Sequence, residues 1–136
     1  MVCILQHHFM QQGNLKGEKD FNGQTVKLDV PIVLFEEDNI HYAYIPSFDL
    51  LGYGTTPEEA RESMTIVLDE FLRYSLNKNT FFIELKRLGW IIKSKRKPMK
   101  APQMSEMINT NEQLRDIINH KKYSTSNHSV NMPAFA

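Results

Sequence analysis

A run of cationic side chains is the densest group of residues in this sequence that could do chemistry. Lysine and arginine bind phosphate groups and displace counterions, which makes such binding sensitive to salt. Phe81, Phe82 and Trp90 precede the run and would offer rings for base stacking if they were exposed. The other interpretation is a solvated linker that follows a core tryptophan. The run covers residues 93–100 and contains Lys93, Lys95, Arg96, Lys97 and Lys100.

Two glycines, Gly52 and Gly54, stand between a predicted strand and a predicted helix. Glycine-rich turns in this place bind phosphate through backbone amides at the start of the helix. The third glycine of that motif is missing here, and Pro57 has no amide hydrogen to donate. A tight turn between strand and helix therefore explains the spacing better than a phosphate site.

Side chains suited to catalysis or metal binding are scattered along the chain. The only cysteine, Cys3, lies in a polar N-terminal segment that offers no fixed base to activate it. The sequence has no Gly-x-Ser-x-Gly turn, and its histidines lack the spacing that would place two metal ligands on one face. We therefore predict a protein that is not an enzyme, with no catalytic residue, no metal and no cofactor.

The charges are distributed unevenly, although the net charge is zero. Residues 25–70 contain ten acidic and two basic side chains, whereas residues 71–100 contain nine basic and one acidic. Either the two blocks face each other or simply repel copies of themselves, or the basic block binds a polyanion or an acidic partner. A single cysteine favours a reducing compartment, and no apolar run reaches the roughly 18 residues of a membrane helix. We expect a cytoplasmic protein with no membrane partner.

Hydrophobic periodicity predicts a sheet followed by helices. Residues 1–24 are polar and glycine-containing, which predicts a flexible extension. Alternating apolar residues from Thr25 predict a strand, which Pro31 would place at a sheet edge or at a bulge. Residues 40–45 return as its antiparallel partner after a polar turn, and residues 48–51 suggest a short third strand.

Clear helix signals follow. Thr56 is a cap residue, Pro57 suits the first helical position, and Glu59 predicts a capping box for a helix that runs to Asn77. Residues 81–88 predict a second helix that Gly89 ends. Residues 90–92 suggest another strand, residues 105–120 a last helix broken near residues 109–111, and residues 130–133 an extended segment.

These elements predict an α+β fold, a two-layer sandwich of an antiparallel sheet with helices packed on one face. The order is β-β-(β)-α-α-β plus a C-terminal helix. The predicted division is an extension at 1–24, an α+β domain at 25–92, and a basic linker with a C-terminal helical extension at 93–136.

Within residues 25–74 the sequence resembles the HicB antitoxin family. That family has a "Tyr-x-Ala-x-x-Pro" strand followed by "Gly-x-Gly-x-Thr-x-Glu-Glu-Ala" at the start of a long helix. The order and spacing of the pieces carry the resemblance, since each piece alone is common. The matching residues are Tyr42, Ala43, Pro46, Gly52, Gly54, Thr56, Glu58, Glu59 and Ala60.

The resemblance implies a partial ribonuclease H-like fold without catalytic carboxylates, in a bacterial toxin–antitoxin system. It implies an antitoxin that neutralises a small, basic HicA-type ribonuclease toxin and forms homo-oligomers. Many members also carry a C-terminal DNA-binding domain, but the last third of this sequence has no helix-turn-helix pattern. The alternatives are an orphan HicB-like domain, or a nucleic-acid-binding or regulatory protein that uses the basic residues 93–100.

Overall fold

The computed structural model describes residues 25–78, 80–92 and 99–133. The prediction of a flexible segment at 1–24 lies outside these residues. The elements, in chain order, are β1 (Thr25–Glu37), β2 (Ile40–Ile45), β3 (Leu50–Gly54), α1 (Pro57–Asn77), α2 (Phe81–Arg87), α3 (Met104–Thr110), α4 (Glu112–His120) and β4 (Lys122–Pro133).

The strands form an antiparallel sheet in the order β3-β2-β1-β4, with helices packed on it. The predicted α+β class is therefore confirmed. A tight turn joins β1 to β2, and both of its central residues, Asp38 and Asn39, have positive φ angles. That geometry matches the right-handed twist of the flanking strands, and Asp and Asn tolerate it better than most residues.

The position of β1 in the sheet differs from the expectation that Pro31 raised. β1 lies between β2 and β4, so it is not an edge strand. Its pairing with β2 begins only at Val33, whereas its pairing with β4 runs from Thr25 to Glu36. Pro31 thus lies in the part of β1 that pairs on one side only, where a missing amide hydrogen is tolerated.

The fourth strand also comes from another part of the chain than the expected one. Residues 90–92 do not form it, because Ile91 makes only an isolated bridge with Lys100. The strand is β4, which pairs with β1 along its full length and includes the segment at 130–133 that was predicted to be extended. Residues 122–129 lack the alternating large apolar residues that would have indicated a strand.

Helices cover both faces of the sheet, so the fold has a third layer beyond the two that were predicted. On one face, α1 and α2 bury Val30, Ile32, Ala43 and Ile45. On the other face, α3 and α4 bury a second cluster that includes Val33, Phe35 and Tyr44. Successive strand residues point to opposite faces. Because β1 and β2 carry large apolar residues at both alternations, both faces need a cover.

The start of α1 follows its sequence signals with one difference. The Thr56 hydroxyl accepts a hydrogen bond from the Glu59 amide at 3.1 Å, and Pro57 occupies the first turn. The Glu59 carboxylate does not bond the Thr56 amide. It accepts instead from the amide of Thr55 at 2.9 Å and from the Thr55 hydroxyl at 2.7 Å, and these bonds lower the pKa of Glu59.

The predicted break in the last helix lies at Asn111. This residue ends α3 and caps α4, since its side-chain oxygen accepts a hydrogen bond from the Leu114 amide at 2.9 Å. The predicted stop at Gly89 is also present, with a φ angle of 100°. Glycine favours this left-handed conformation because it has no Cβ.

Candidate functional site

The basic segment predicted from the sequence lies mostly outside the described residues. Lys93, Lys95, Arg96 and Lys97 fall there, and only Lys100 is placed. Lys100 is exposed, and its backbone exchanges two hydrogen bonds of 2.9 Å with Ile91. Ile91 and Lys100, which flank the residues outside the described part, therefore lie side by side.

The aromatic residues before this segment belong mainly to the core. Trp90 is 3% exposed, and its indole N–H donates to the carbonyl of Ser47 at 2.8 Å. Its ring also packs on Phe48, with centroids 5.2 Å apart. Phe81 is buried and Phe82 half-buried. Trp90 and Phe81 are thus not available for base stacking, and the prediction of a core tryptophan is confirmed.

A different aromatic group crosses the opposite face of the sheet. The strand registers pair Tyr53 with Tyr42, Tyr42 with Phe35, and Phe35 with Tyr123. Residues paired in this way share a face, so the four side chains form one row across all four strands. The Phe35 and Tyr42 rings are stacked at 4.9 Å, and Tyr53 lies 6.4 Å from Tyr42. We call these four residues the aromatic row.

The middle of the aromatic row is covered and its two ends are open. Phe35 belongs to the core cluster under α3 and α4, and Tyr42 packs against that cluster. Tyr53 is 56% exposed and Tyr123 is 42% exposed. A cleft of about 300 Å³ borders the row near Tyr123 and is lined also by Glu36, His41 and Lys122. The row thus presents two tyrosine rings to solvent from a rigid sheet.

Acidic side chains gather at the same end of the sheet. Gly54, the last residue of β3, pairs with His41, so α1 begins beside the turn between β1 and β2. We call the five acids at this place the acidic end. They are Glu36, Glu37 and Asp38 of the turn region, and Glu58 and Glu59 in the first turn of α1.

Two of these acids are engaged within the fold. The Lys121 ammonium bonds the Glu37 carboxylate at 3.2 Å, which raises the pKa of Lys121. The Glu59 carboxylate is occupied by Thr55, as described above. Asp38 and Glu58 are exposed, and Glu36 is partly exposed. The acidic end therefore presents negative charge at the end of the sheet that carries the exposed tyrosines. Glu36, which pairs with Lys122, points like α1 to the face opposite the aromatic row.

A larger polar cleft, of about 750 Å³, lies at the far end of β2 and is lined in part by Asp49, Asn111 and Glu112. Its best-defined polar groups are bonded to one another. The buried Tyr44 hydroxyl donates to the Asp49 carboxylate at 2.7 Å and accepts from the Asn111 amide at 3.0 Å. Burial raises the pKa of Tyr44 above its usual value, and the Asp49 carboxylate adds to this. These bonds hold α4 against the sheet, which is a structural role.

The glycines that suggested a phosphate loop have a packing role. A Cβ atom on Gly52 would lie 2.2 Å from the backbone nitrogen of Met64, and one on Gly54 would lie 2.4 Å from Glu59 Cβ. β3 and α1 can approach this closely only because both residues lack a side chain. This contact explains the two glycines without a ligand.

Neither a metal site nor a membrane helix is found in the described part of the chain. No group of three or more His, Cys, Asp or Glu side chains there is arranged to hold a metal ion. Across residues 25–78, 80–92 and 99–133, no helix is long and apolar enough to cross a membrane.

Sequence reasoning missed the aromatic row and the acidic end as units. Each tyrosine is visible in a predicted strand, but only the registers show that Tyr53, Tyr42, Phe35 and Tyr123 align. The acidic block at 25–70 gave part of the signal. That five of these acids lie at one end of the sheet could be seen only from the position of α1 relative to the turn between β1 and β2.

Comparison with known proteins adds no relative. No protein-family model matches the chain, no curated protein matches it, and no solved structure matches it. The resemblance to the HicB antitoxin family therefore rests on the motif residues between Tyr42 and Ala60, and it stays a prediction.

Proposed function

We propose that this chain is a non-enzymatic protein-binding module whose partner is a small basic protein, in the manner of an antitoxin that neutralises a HicA-type ribonuclease. The observation that carries the proposal is that the acidic end and the exposed tyrosines of the aromatic row lie at one end of the sheet, on its two faces. The motif resemblance supplies the class of partner, and the surface supplies a chemistry that suits it.

Tyrosines and carboxylates at one place favour a cationic protein surface. Tyrosine is enriched in interfaces because its ring buries a large area at a low cost in conformational entropy. Tyrosine faces also attract lysine and arginine through cation–π contacts. Carboxylates at the same end of the sheet would guide a basic partner and raise its rate of association. The same charges repel nucleic acid, so this end does not suit a polyanion.

The test is a pull-down of the tagged full chain from its host lysate, with and without nuclease, read by mass spectrometry. We expect a small basic protein in near-equal amount in both conditions. A variant with Glu36→Gln, Asp38→Asn and Glu58→Gln should lose it. The matched control carries Asp29→Asn, Glu70→Gln and Glu112→Gln, three exposed acids outside the acidic end, and should retain it.

The recovered protein is then purified, and its Kd for the three chains is measured by calorimetry. We expect a loss of at least tenfold for the first variant and little change for the control. Recovery of the chain alone, of nuclease-sensitive material alone, or equal binding by both variants would contradict the proposal.

A second candidate function is nucleic-acid binding through the basic segment. The observation that favours it is the cationic block at 71–100, of which Lys86, Arg87 and Lys100 are exposed in the structure. Elution from heparin at rising salt tests it, for the parent and for a version with Lys93, Lys95, Arg96, Lys97 and Lys100 neutralised. Unchanged elution would exclude this function.

A further inference from the structure

The outer edge of β4 is the longest open strand edge of the described sheet. β4 is the last strand in the order β3-β2-β1-β4, and among the described residues no strand pairs with its outer side. Every second residue of such a strand directs its N–H and C=O groups outward. Ser124, Thr125, Asn127, Ser129 and Asn131 are exposed.

Between residues 123 and 132, this edge lacks the charged and proline residues that usually prevent strand edges from pairing. Natural edge strands are commonly protected by charged side chains, especially lysine, or by proline. Residues 123–132 contain no Lys, Arg, Asp, Glu or Pro, and Pro133 comes only at the end. At about 3.3 Å per residue, this uncharged stretch is roughly 33 Å long. Residues 123–132 therefore carry none of these charged or proline obstacles to further pairing.

We propose that β4 pairs antiparallel with β4 of a second copy of this chain, which joins two four-stranded sheets into one of eight strands. A two-fold axis perpendicular to the sheet, near Asn127, generates this arrangement. Residues of the same alternation then face each other, and the α1 helices of both copies lie on the same side.

The charge distribution of β4 favours a second copy over other occupants. When β4 strands of two copies pair, each charged residue faces a residue of an identical strand. Like charges directly opposite each other destabilise such a pair. The cations at this strand, Lys121 and Lys122, lie at its first end. Antiparallel pairing centred near Asn127 places them opposite the uncharged residues at 130–133 of the partner, and far from the partner's own lysines.

The side chains near the axis can also bond across it. Thr125, Asn127 and Ser129 each carry a hydrogen-bond donor and an acceptor, so they are complementary to themselves. Pairing centred on Asn127 sets Thr125 opposite Ser129 of the second copy, and cross-strand Thr–Ser hydrogen bonds stabilise antiparallel strands. The middle of β4 is thus suited to face an identical strand in solution.

Sedimentation equilibrium of the full chain tests the proposal. We expect a species of twice the 15.9 kDa chain mass. Asn127→Lys places two lysines across the axis and should weaken the dimer at least tenfold. Asn77→Lys, the same change at an exposed position at the end of α1, is the matched control and should leave it unchanged. Thermal melts read by circular dichroism check that both variants fold.

Disulfide trapping gives a second readout that does not depend on the lysine variant. In a Cys3→Ser background, Asn127→Cys alone and Thr125→Cys together with Ser129→Cys are oxidised in separate samples. Asn127→Cys should form an intermolecular disulfide rapidly, and so should the double variant Thr125→Cys, Ser129→Cys, because Thr125 of one copy faces Ser129 of the other and facing Cβ atoms lie within bonding reach. Asn77→Cys should not. A monomer at all concentrations, a dimer unaffected by Asn127→Lys, or crosslinking no faster than for Asn77→Cys overturns the proposal.

Discussion

At the scale of single residues, Gly52 sets the distance between β3 and α1. An added Cβ would lie 2.2 Å from the nitrogen of Met64 and 2.6 Å from its Cα, and backbone atoms cannot move aside cheaply. We expect Gly52→Ala to lower the free energy of unfolding by about 3 kcal/mol, measured by urea denaturation. Gly89→Ala is the control, because its Cβ would meet Pro102 at an ordinary 3.5 Å. It should cost about 1–2 kcal/mol for the left-handed backbone alone, and equal losses would contradict the close contact at Gly52.

His128 makes stability depend on pH. Burial lowers its pKa below the usual value of 6.5, and the nearby Arg61 guanidinium lowers it further. Above 6.5 both the folded and the unfolded chain carry a neutral imidazole. As pH falls below 6.5, the unfolded chain takes up the proton more readily, so the free energy of unfolding decreases until the folded form also protonates.

The measurement is the urea midpoint between about pH 7.5 and about pH 5.5. We expect a fall for the parent chain and a smaller fall for His128→Gln. Asn131→Gln, a change between neutral side chains at an exposed position of β4, should behave like the parent. A parent curve that is flat, or that rises as the pH falls, would show that His128 is not held in its neutral form.

At the scale of elements, β4 completes the sheet rather than extending it. Val130 and Met132 of β4 are buried in the core with Val30 and Ile32 of β1. A chain that ends at Lys121 would expose this core and one whole side of β1. We expect it to lose cooperative unfolding in a thermal melt read by circular dichroism. Residues 25–136 retain every described element and should unfold cooperatively. Cooperative melting of the shortened chain would show that the sheet is stable without β4.

The elements differ in how far local sequence determines them. Thr56, Pro57 and Gly89 act on their own neighbours through caps and backbone angles, so the ends of α1 and α2 were predictable. β4 was not, because residues 122–129 are polar and gain their extended conformation from pairing with β1. Pairing is a long-range property, since the partner residues are about a hundred positions away. The aromatic row was missed for the same reason, because its residues align only through the pairing of distant strands.

The cover on the second face was missed for a related reason. Val33, Phe35 and Tyr44 indicate that this face is apolar, yet the sequence does not state which helix reaches it. In the structure, Asn111 ties α4 to this face. Its side-chain oxygen caps α4, and its side-chain amide donates to the Tyr44 hydroxyl. An asparagine between two short helices is an ordinary cap in sequence. Its contact with the sheet becomes visible only in three dimensions.

At the scale of the whole molecule, the two ends of α1 carry exposed charges of opposite sign. α1 starts at the acidic end and has 21 residues, which span roughly 30 Å. Exposed cations that include Lys78, Lys86 and Arg87 follow its other end. The described residues therefore place negative and positive charge at opposite ends of this helix, a dipole that the net charge of zero conceals.

This dipole predicts head-to-tail association that depends on salt. Near zero net charge, little overall repulsion opposes contact between the acidic end of one molecule and the cations of the next. We expect light scattering to show an average mass above that of the dimer at about 0.01 M salt, where charges act over roughly 30 Å. The excess should vanish at about 0.15 M, where the range is about 8 Å. The variant Glu36→Gln, Asp38→Asn, Glu58→Gln should lose the excess at low salt. The control Asp29→Asn, Glu70→Gln, Glu112→Gln changes the net charge equally and should keep most of it. Equal suppression by both would assign the effect to net charge and not to the separation of the two ends.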